Sequence, residues 1–406
     1  MQQFILLYML ALWTLFFTFL SIIFGNREFK LGFAKLKFFV GGMLLYIGRE
    51  VKPVQRKITR SHKVMRIVYI FAMFLGMALF YIIFIPSFFN MIKGFIAFSR
   101  GVAAPPQPVA VPVPLLFTIT SIVKYLIISI SIGAAVHEFA HAVVAIREGV
   151  GVRNWGIGCL FLIPLAFVEL DDDLFKNASS VSKASIASAG PFANALVAIV
   201  AQLLIIFILF SGVTLSTAVE IVNVDCSICN VLQCPGERLG LQSGDIIYAV
   251  NGTAVRSVSD IAKILNATKL GNAVMLTVCR SGVCFDKNVV LDSYNVEYMS
   301  RYGLAKPCLG IGMQDTIILL RGDKPYSSLF IQELLQYLNF IFVVNLSLFI
   351  FNAIPLFITD GTIFLSSIAV KKGFIGKLVE VKMLDKINAA IILIAIGMST
   401  YLFLGV

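Results

Sequence analysis

Charge is what this chain has least of. Only 14% of its 406 residues are Asp, Glu, Lys or Arg, against 59% hydrophobic. That balance excludes an ordinary soluble protein, and the apolar sequence far exceeds one membrane anchor. Histidine is scarcer still, at three residues, so each one has to be accounted for. Acidic residues number 22 against 33 basic ones, a formal net charge of +11. No segment carries the basic stripe of a nucleic-acid binder. The first apolar run lacks the basic start and the A-x-A-like site of a cleaved leader and reads as a retained transmembrane helix. No internal repeat is visible.

Taken in order, Phe4 to Phe24 makes one span. Gly25 to Arg66 carries eleven Lys/Arg against Glu28 and Glu50. This is the strongest cytoplasmic signal in the chain and puts the N-terminus outside. Its apolar patch, Phe38 to Ile47, is too short to span and reads as an interfacial helix or a short re-entrant hairpin. Ile67 to Pro86 makes the second span. Residues 101–114 hold Pro105, Pro106, Pro108, Pro112 and Pro114 and read as an extended external linker. Leu115 to Ala145 makes the third span. Trp155 to Val168 reads as short strands or loops against the membrane face, and the acidic group Glu169, Asp171, Asp172 and Asp173 as a solvated turn. Ile186 to Ser211 and Leu329 to Phe351 make the next two spans. Thr362 to Val370 is an apolar helix too short to cross. Lys371 to Lys386 holds five lysines, again cytoplasmic, and Ile387 to Leu404 is the last span. The expected fold class is a polytopic α-helical membrane protein of about six transmembrane helices in a cell membrane, with both termini outside.

Residues 213–330 differ. Ten basic and ten acidic residues balance there, and six of the seven cysteines (Cys226, Cys229, Cys234, Cys279, Cys284, Cys308) fall within them. Ala273 to Cys279 and Val283 to Leu291 read as strands. An external water-soluble domain follows. Its cysteines fit disulfides, a zinc site at Cys226 and Cys229, or reduced thiols.

The chemistry concentrates in His137-Glu138-Phe139-Ala140-His141, near the inner end of the third span. Residues four apart share a helix face, so both imidazoles reach one ion with Glu138 alongside. Two imidazoles and a carboxylate are expensive within a span unless used. A catalytic zinc takes three protein ligands and a water. His62, the third histidine, lies outside any span. Asp360 is the better third ligand. It alone is acidic between Glu333 and Glu380, and it follows the proline-broken run from Asn352. One zinc ion per chain is therefore expected, with zinc-bound water as nucleophile and Glu138 as general base and acid.

HEFAH, Gly190-Pro191-x-x-Asn194 and Asn352-x-x-Pro355-x-x-x-x-Asp360-Gly361 together resemble the site-2 protease family of intramembrane zinc metalloproteases, over nearly all of residues 115–400. The resemblance implies His137, His141 and Asp360 as zinc ligands and Glu138 as the base. Asn194 and Asn352 would support substrate or oxyanion, and Trp155 to Val168 would offer a substrate-pairing edge. The chain departs from the motifs at Ala142, at Thr359 in place of a leucine, and at Thr362 in place of a second glycine. Glu237 to Gly252 is similar to the core of PDZ domains of the bacterial protease type, with Asn251-Gly252 a hairpin turn and Ser259 to Leu265 the groove helix. The implied organisation has five parts. Residues 1–100 form an N-terminal membrane pair, 101–114 the linker, 115–212 the first half of the catalytic core, 213–328 an extracytoplasmic PDZ-like α/β domain and 329–406 the second half. The implied substrates are transmembrane proteins already shortened by a first cut, with the PDZ domain gating access. The rival class is a catalytically silent PDZ-bearing membrane scaffold, which the intact HEFAH and Asp360 oppose. A transporter is disfavoured because no second polar set marks a pathway.

Overall fold

Among the described residues, four stretches are long and apolar enough to cross a bilayer as helices: Arg60–Ser99, Ile122–Arg147, Ser180–Phe210 and Glu333–Ala353. They belong to a computed structural model that describes residues 2–25, 27–32, 34–48, 50–54, 59–101, 106, 120–211, 213–229, 231–280, 283–291, 306–321, 324–325, 329–369 and 381–404. Most of the Pro-rich linker at 101–114, the start of the third span and the lysines at 371–377 lie outside the described residues. Two units result, one of Met1–Leu203 with Tyr337–Val406 and one of Leu204–Gln336.

In chain order the elements are α1 (Gln2–Phe24), β1 (Glu28–Leu31), β2 (Ala34–Phe39), β3 (Gly42–Tyr46), α2 (Arg60–Ser99), α3 (Thr120–Arg147), β4 (Val152–Leu160), β5 (Ile163–Leu170), α4 (Asp172–Asn177) and α5 (Ser180–Phe210). There follow β6 (Val213–Val224), α6 (Pro235–Arg238), β7 (Ile246–Val250), β8 (Thr253–Ala254), α7 (Val258–Ala267), β9 (Ala273–Arg280), β10 (Val283–Val290), β11 (Ile311–Arg321) and β12 (Lys324–Pro325). The chain ends through α8 (Leu329–Ala353), α9 (Asp360–Ala369) and α10 (Val381–Leu404).

Two local expectations are corrected. The second span does not stop at Pro86, because α2 runs on to Ser99 with Pro86 inside it. A proline removes one backbone hydrogen bond, and neighbouring hydroxyls make that tolerable in a membrane helix. The carbonyl that Pro86 leaves is Ile82 O, and one position on, Ser87 Oγ donates to Ile83 O at 2.8 Å. Of the two readings of the patch Phe38 to Ile47 the helix falls, and what forms is a hairpin, made of two strands. Lys35, Leu36, Lys37 and Phe38 alternate with the period of a strand, and Gly41 at φ +79° turns β2 into β3. Phe17 and Phe24 of α1 pack on Phe38, and Trp13 Nε1 donates to Gly41 O.

That hairpin joins β4 and β5 in one antiparallel sheet of order β1-β2-β3-β4-β5. Strand β5 is therefore an edge. Trp155 O accepts from Ile47 N at 3.0 Å and so faces β3. Val168, opposite Trp155 in the register, consequently turns its N–H away from β4. The helices pack through small residues. Met73 and Met77 of α2 meet Ala184 and Ala187 of α5, Ala353 of α8 and Phe364 of α9. A Cβ on Gly76 would lie 2.6 Å from that of Ala353, so α2 and α8 touch almost at backbone distance.

The second unit is a sheet of order β10-β9-β7-β6-β11-β12, with β8 paired to β7. Val219, Ile221, Ile247, Leu276 and Val278 form its core with Ile261 and Leu265 of α7. Asn251 and Gly252, at φ +50° and +75°, make the β7–β8 turn. Disulfides join Cys226 to Cys234, Cys229 to Cys308 and Cys279 to Cys284. The zinc alternative at Cys226 and Cys229 falls, since each sulfur is bonded to a different cysteine.

Candidate metal centre

The HEFAH segment lies in regular helix, which turns His137 and His141 inward and leaves Phe139 68% exposed on the outer side. Helix α8 stops at Ala353 and Pro355 prevents its continuation. The chain loops back, and Asp360 opens α9. A Cβ on Gly361 would collide with the carbonyls of Ala353 and Ile354, so the Asp-Gly pair lets α9 begin against the end of α8.

These two elements bring three donor atoms together. His137 Nε2 lies 3.1 Å from His141 Nε2 and 3.1 Å from Asp360 Oδ2, and His141 Nε2 lies 3.3 Å from the same oxygen. A tetrahedral zinc with bonds of about 2.0–2.1 Å sets its ligand atoms roughly 3.3 Å apart. The triangle therefore fits such an ion. Asp360 Oδ2 is buried and makes no well-aligned hydrogen bond, as suits an oxygen reserved for a cation. His62 is elsewhere, 2.8 Å from Glu148.

Backbone and amide groups orient the rings. Ile186 O, 2.7 Å from His141 Nδ1, can only accept, so Nδ1 carries the proton and Nε2 keeps its lone pair. The Asn194 amide, fully buried, lies 3.0 Å from His137 Nδ1. With the amide oxygen toward the ring, Asn194 Oδ1, otherwise without a partner, accepts from Nδ1–H and leaves Nε2 free. Gly190 lies flat against both rings. A Cβ there would sit 2.6 Å from His137 Nε2 and closer still to His141 Nε2. In the sequence Gly190 stands out only as part of the Gly-Pro motif. The Gly-Pro pair inside an apolar helix was the available signal. The Ile186 carbonyl carried none.

A cavity of about 280 Å³ opens on the triad, lined by Glu138, Asn352, Val168, Leu170, Phe175 and Ile358 among others. The Glu138 carboxylate shares the cavity with Val168, whose N–H turns outward from the sheet. Strand β5 thus borders the cavity with its open edge. The acidic group nearby is engaged in local structure. Asp171 caps α4 by accepting from Asp173 N and Leu174 N, and Glu169 accepts from Asn154.

A second polar cluster ties the start of α2 to the end of α3. Glu148, its side chain 1% exposed, accepts from Arg66 Nε at 2.7 Å and lies within hydrogen-bond distance of His62. Burial pushes its carboxyl up. Hydrogen bonds from Arg66, His62 and Ser182, with the Arg66 charge, outweigh that and hold it below the ordinary carboxylate value.

Fold and site together define a helical protein, with helices long and apolar enough to cross a membrane, whose HExxH helix and an aspartate from a broken helix converge as three donors that could hold a metal ion. The model of peptidase family M50 matches residues 125–397, and the chain belongs to that family. The family consists in general of zinc metalloproteases of the site-2 type. The chain is also 34% identical over 175 residues to Uncharacterized protein MJ0971 of Methanocaldococcus jannaschii, a match covering 42% of this chain and 44% of that protein. The chain thus spans under half the length of that relative. Two PDZ domains of SdrC-like proteins align at low identity. That of Listeria monocytogenes is 18% identical over 23% of this chain and 85% of its own, and that of Listeria innocua 17% over 24% and 92%, each with a TM-score of 0.19.

Proposed function

We propose that this chain is an intramembrane zinc metalloprotease that hydrolyses peptide bonds in the transmembrane segments of other membrane proteins. The observation that carries the reading is the convergence of His137 Nε2, His141 Nε2 and Asp360 Oδ2 within 3.3 Å, on a cavity that also holds Glu138. When bound there, zinc supplies a Lewis acid that acidifies water and polarises a carbonyl. Glu138 takes the proton of the attacking water and returns it to the leaving amine. Asn194 keeps His137 in its ligating tautomer, and Asn352, in the cavity wall, supports the substrate carbonyl. The open edge of β5 pairs an unwound substrate strand, which a transmembrane helix must become before its backbone can be cut.

Six spans, both termini outside and the centre near the cytoplasmic face follow from the charge map. The three disulfides support an extracytoplasmic second unit. We read that unit as a PDZ-like gate for pre-cleaved substrates. Strand β11 pairs β6 on one side and β12 only at Leu320 and Arg321 on the other. Among the described residues its remaining length pairs no other strand and lies beside α7, whose Val258 N donates to Asp315 Oδ1. An extended peptide fits such an edge. The decisive test is the purified Glu138→Gln variant with a single-span substrate. About one zinc per chain with no cleavage supports the reading. Cleavage at the wild-type rate sinks it.

A further inference from the structure

The loop that delivers Asp360 has an unsolved problem in any membrane. Between the last turn of α8 and the first turn of α9, backbone carbonyls lose their helical partners, and each one left bare at that depth costs several kcal/mol. Three successive carbonyls are each met by a side chain. Thr359 Oγ1 lies 2.6 Å from Ile354 O. Asn388 Nδ2 donates to Pro355 O at 2.8 Å. Leu356 O already accepts from Thr359 N–H at 2.7 Å, and Thr362 Oγ1 lies 2.9 Å from that oxygen and 2.9 Å from Asp385 Oδ1, which ties the start of α9 to α10. Asn388 Nδ2 also donates to Tyr81 Oη of α2 at 3.0 Å.

Asp385 and Asn388 are one helical turn apart and share a face of α10. Asn388 is 1% exposed. Its whole hydrogen-bonding capacity is directed at the loop and at α2. Thr359 of the loop and Thr362 of the first turn of α9 stand where the chain departs from the site-2 protease motif. We infer that the last helix is a positioning element for the third metal ligand. Asn388 and Asp385, with Tyr81 behind Asn388, hold the loop through Pro355 and Thr362 and so set where the Asp360 carboxylate lies relative to the two imidazoles. None of these residues reaches the donor triangle. They act through the loop alone. The inference rests on the reading of His137, His141 and Asp360 as a zinc site.

Zinc affinity of the purified full chain, measured by competition with a chelator, tests it beside the unfolding midpoint of the metal-free protein. Replacing outer partners of metal ligands costs about 10–100-fold in affinity, and this latch acts one step further out. Thr362→Val, which keeps shape and removes the hydroxyl, should weaken zinc by about tenfold, and Thr362→Ser should restore it. Tyr81→Phe and Asn388→Leu should move the same way, with Tyr81→Phe carrying the test if Asn388→Leu fails to fold. Cobalt-loaded variants should show an altered visible spectrum, because the carboxylate approaches differently. Wild-type affinity in all variants overturns the latch. So does an affinity loss that merely follows a lower metal-free midpoint, since that is a structural role. A wild-type chain that takes up no zinc overturns the metal-site reading itself.

Discussion

Gly190→Ala is the smallest change that should disable the centre. The added Cβ would stand 2.6 Å from His137 Nε2, where ordinary contact begins at 3.4 Å. The shortfall is about 0.8 Å, and it acts on both imidazoles at once. Metal–ligand distances tolerate only about 0.2 Å. The methyl group must therefore push at least one ring out of the triangle. Outer-shell changes already cost about 10–100-fold in metal affinity. Displacing a ligand should cost more than about 100-fold, or roughly 2.7 kcal/mol. The fold has no reason to fail with it. Gly190 lies inside α5 without a left-handed backbone, and alanine's helix preference of about 1 kcal/mol is set against the contact its Cβ makes with the following Pro191 ring. In the metal-free protein the rings can rotate away. The expected outcome is a metal-free unfolding midpoint near that of wild type with zinc binding lost in a chelator competition. Zinc affinity within threefold of wild type would show that Gly190 does not shape the donor triangle.

Other outcomes follow from single groups. Glu138→Gln should keep one zinc per chain and lower the single-turnover cleavage rate by about 10²–10⁴-fold, the range of general acid–base catalysis; a loss below tenfold would assign the proton transfer elsewhere. The Glu148 carboxyl is held below its ordinary value of 4.5, so its stabilisation is complete above that pH and fades as pH falls through the lower folded value. Glu148→Gln should cost about 2–3 kcal/mol at neutral pH, less than a sealed pair because Arg66 and His62 keep some water, and should flatten the acid limb of the thermal midpoint against pH. An unchanged acid limb would deny Glu148 that role. The Cys229–Cys308 bridge spans 79 residues and contributes up to about 4.5 kcal/mol on the chain-entropy account. The paired Cys229→Ser, Cys308→Ser variant should therefore make the second unit open to protease at lower temperature, and equal resistance would argue that the bridge does not form.

What the sequence made readable was what costs free energy in a bilayer. Two imidazoles, Glu138 and Asp360 could be read as one constellation because each is expensive within apolar sequence unless it has a partner. What it hid was of two physical kinds. One is non-local pairing. Strand β3 lies beside β4 although more than a hundred residues separate Leu45 from Ile157, and a ten-residue apolar patch carries no label saying which distant edge it will join. The length of α2 beyond Pro86 belongs here too, since that proline is accommodated by context and not by its own preference. The other kind is chemistry supplied by the backbone. Ile186 O sets the tautomer of His141, Val168 N–H turns outward from the sheet at the cavity that holds Glu138, and the carbonyls of Ile354, Pro355 and Leu356 decide where Asp360 can stand. A peptide group has no residue identity, so no motif records it. The side chains that answer it can still be sought. Thr359, Thr362 and Asn388 are polar residues at membrane depth with no part in the triad, and asking which bare carbonyl each one serves leads from the departures in the motif to the helix that steadies it.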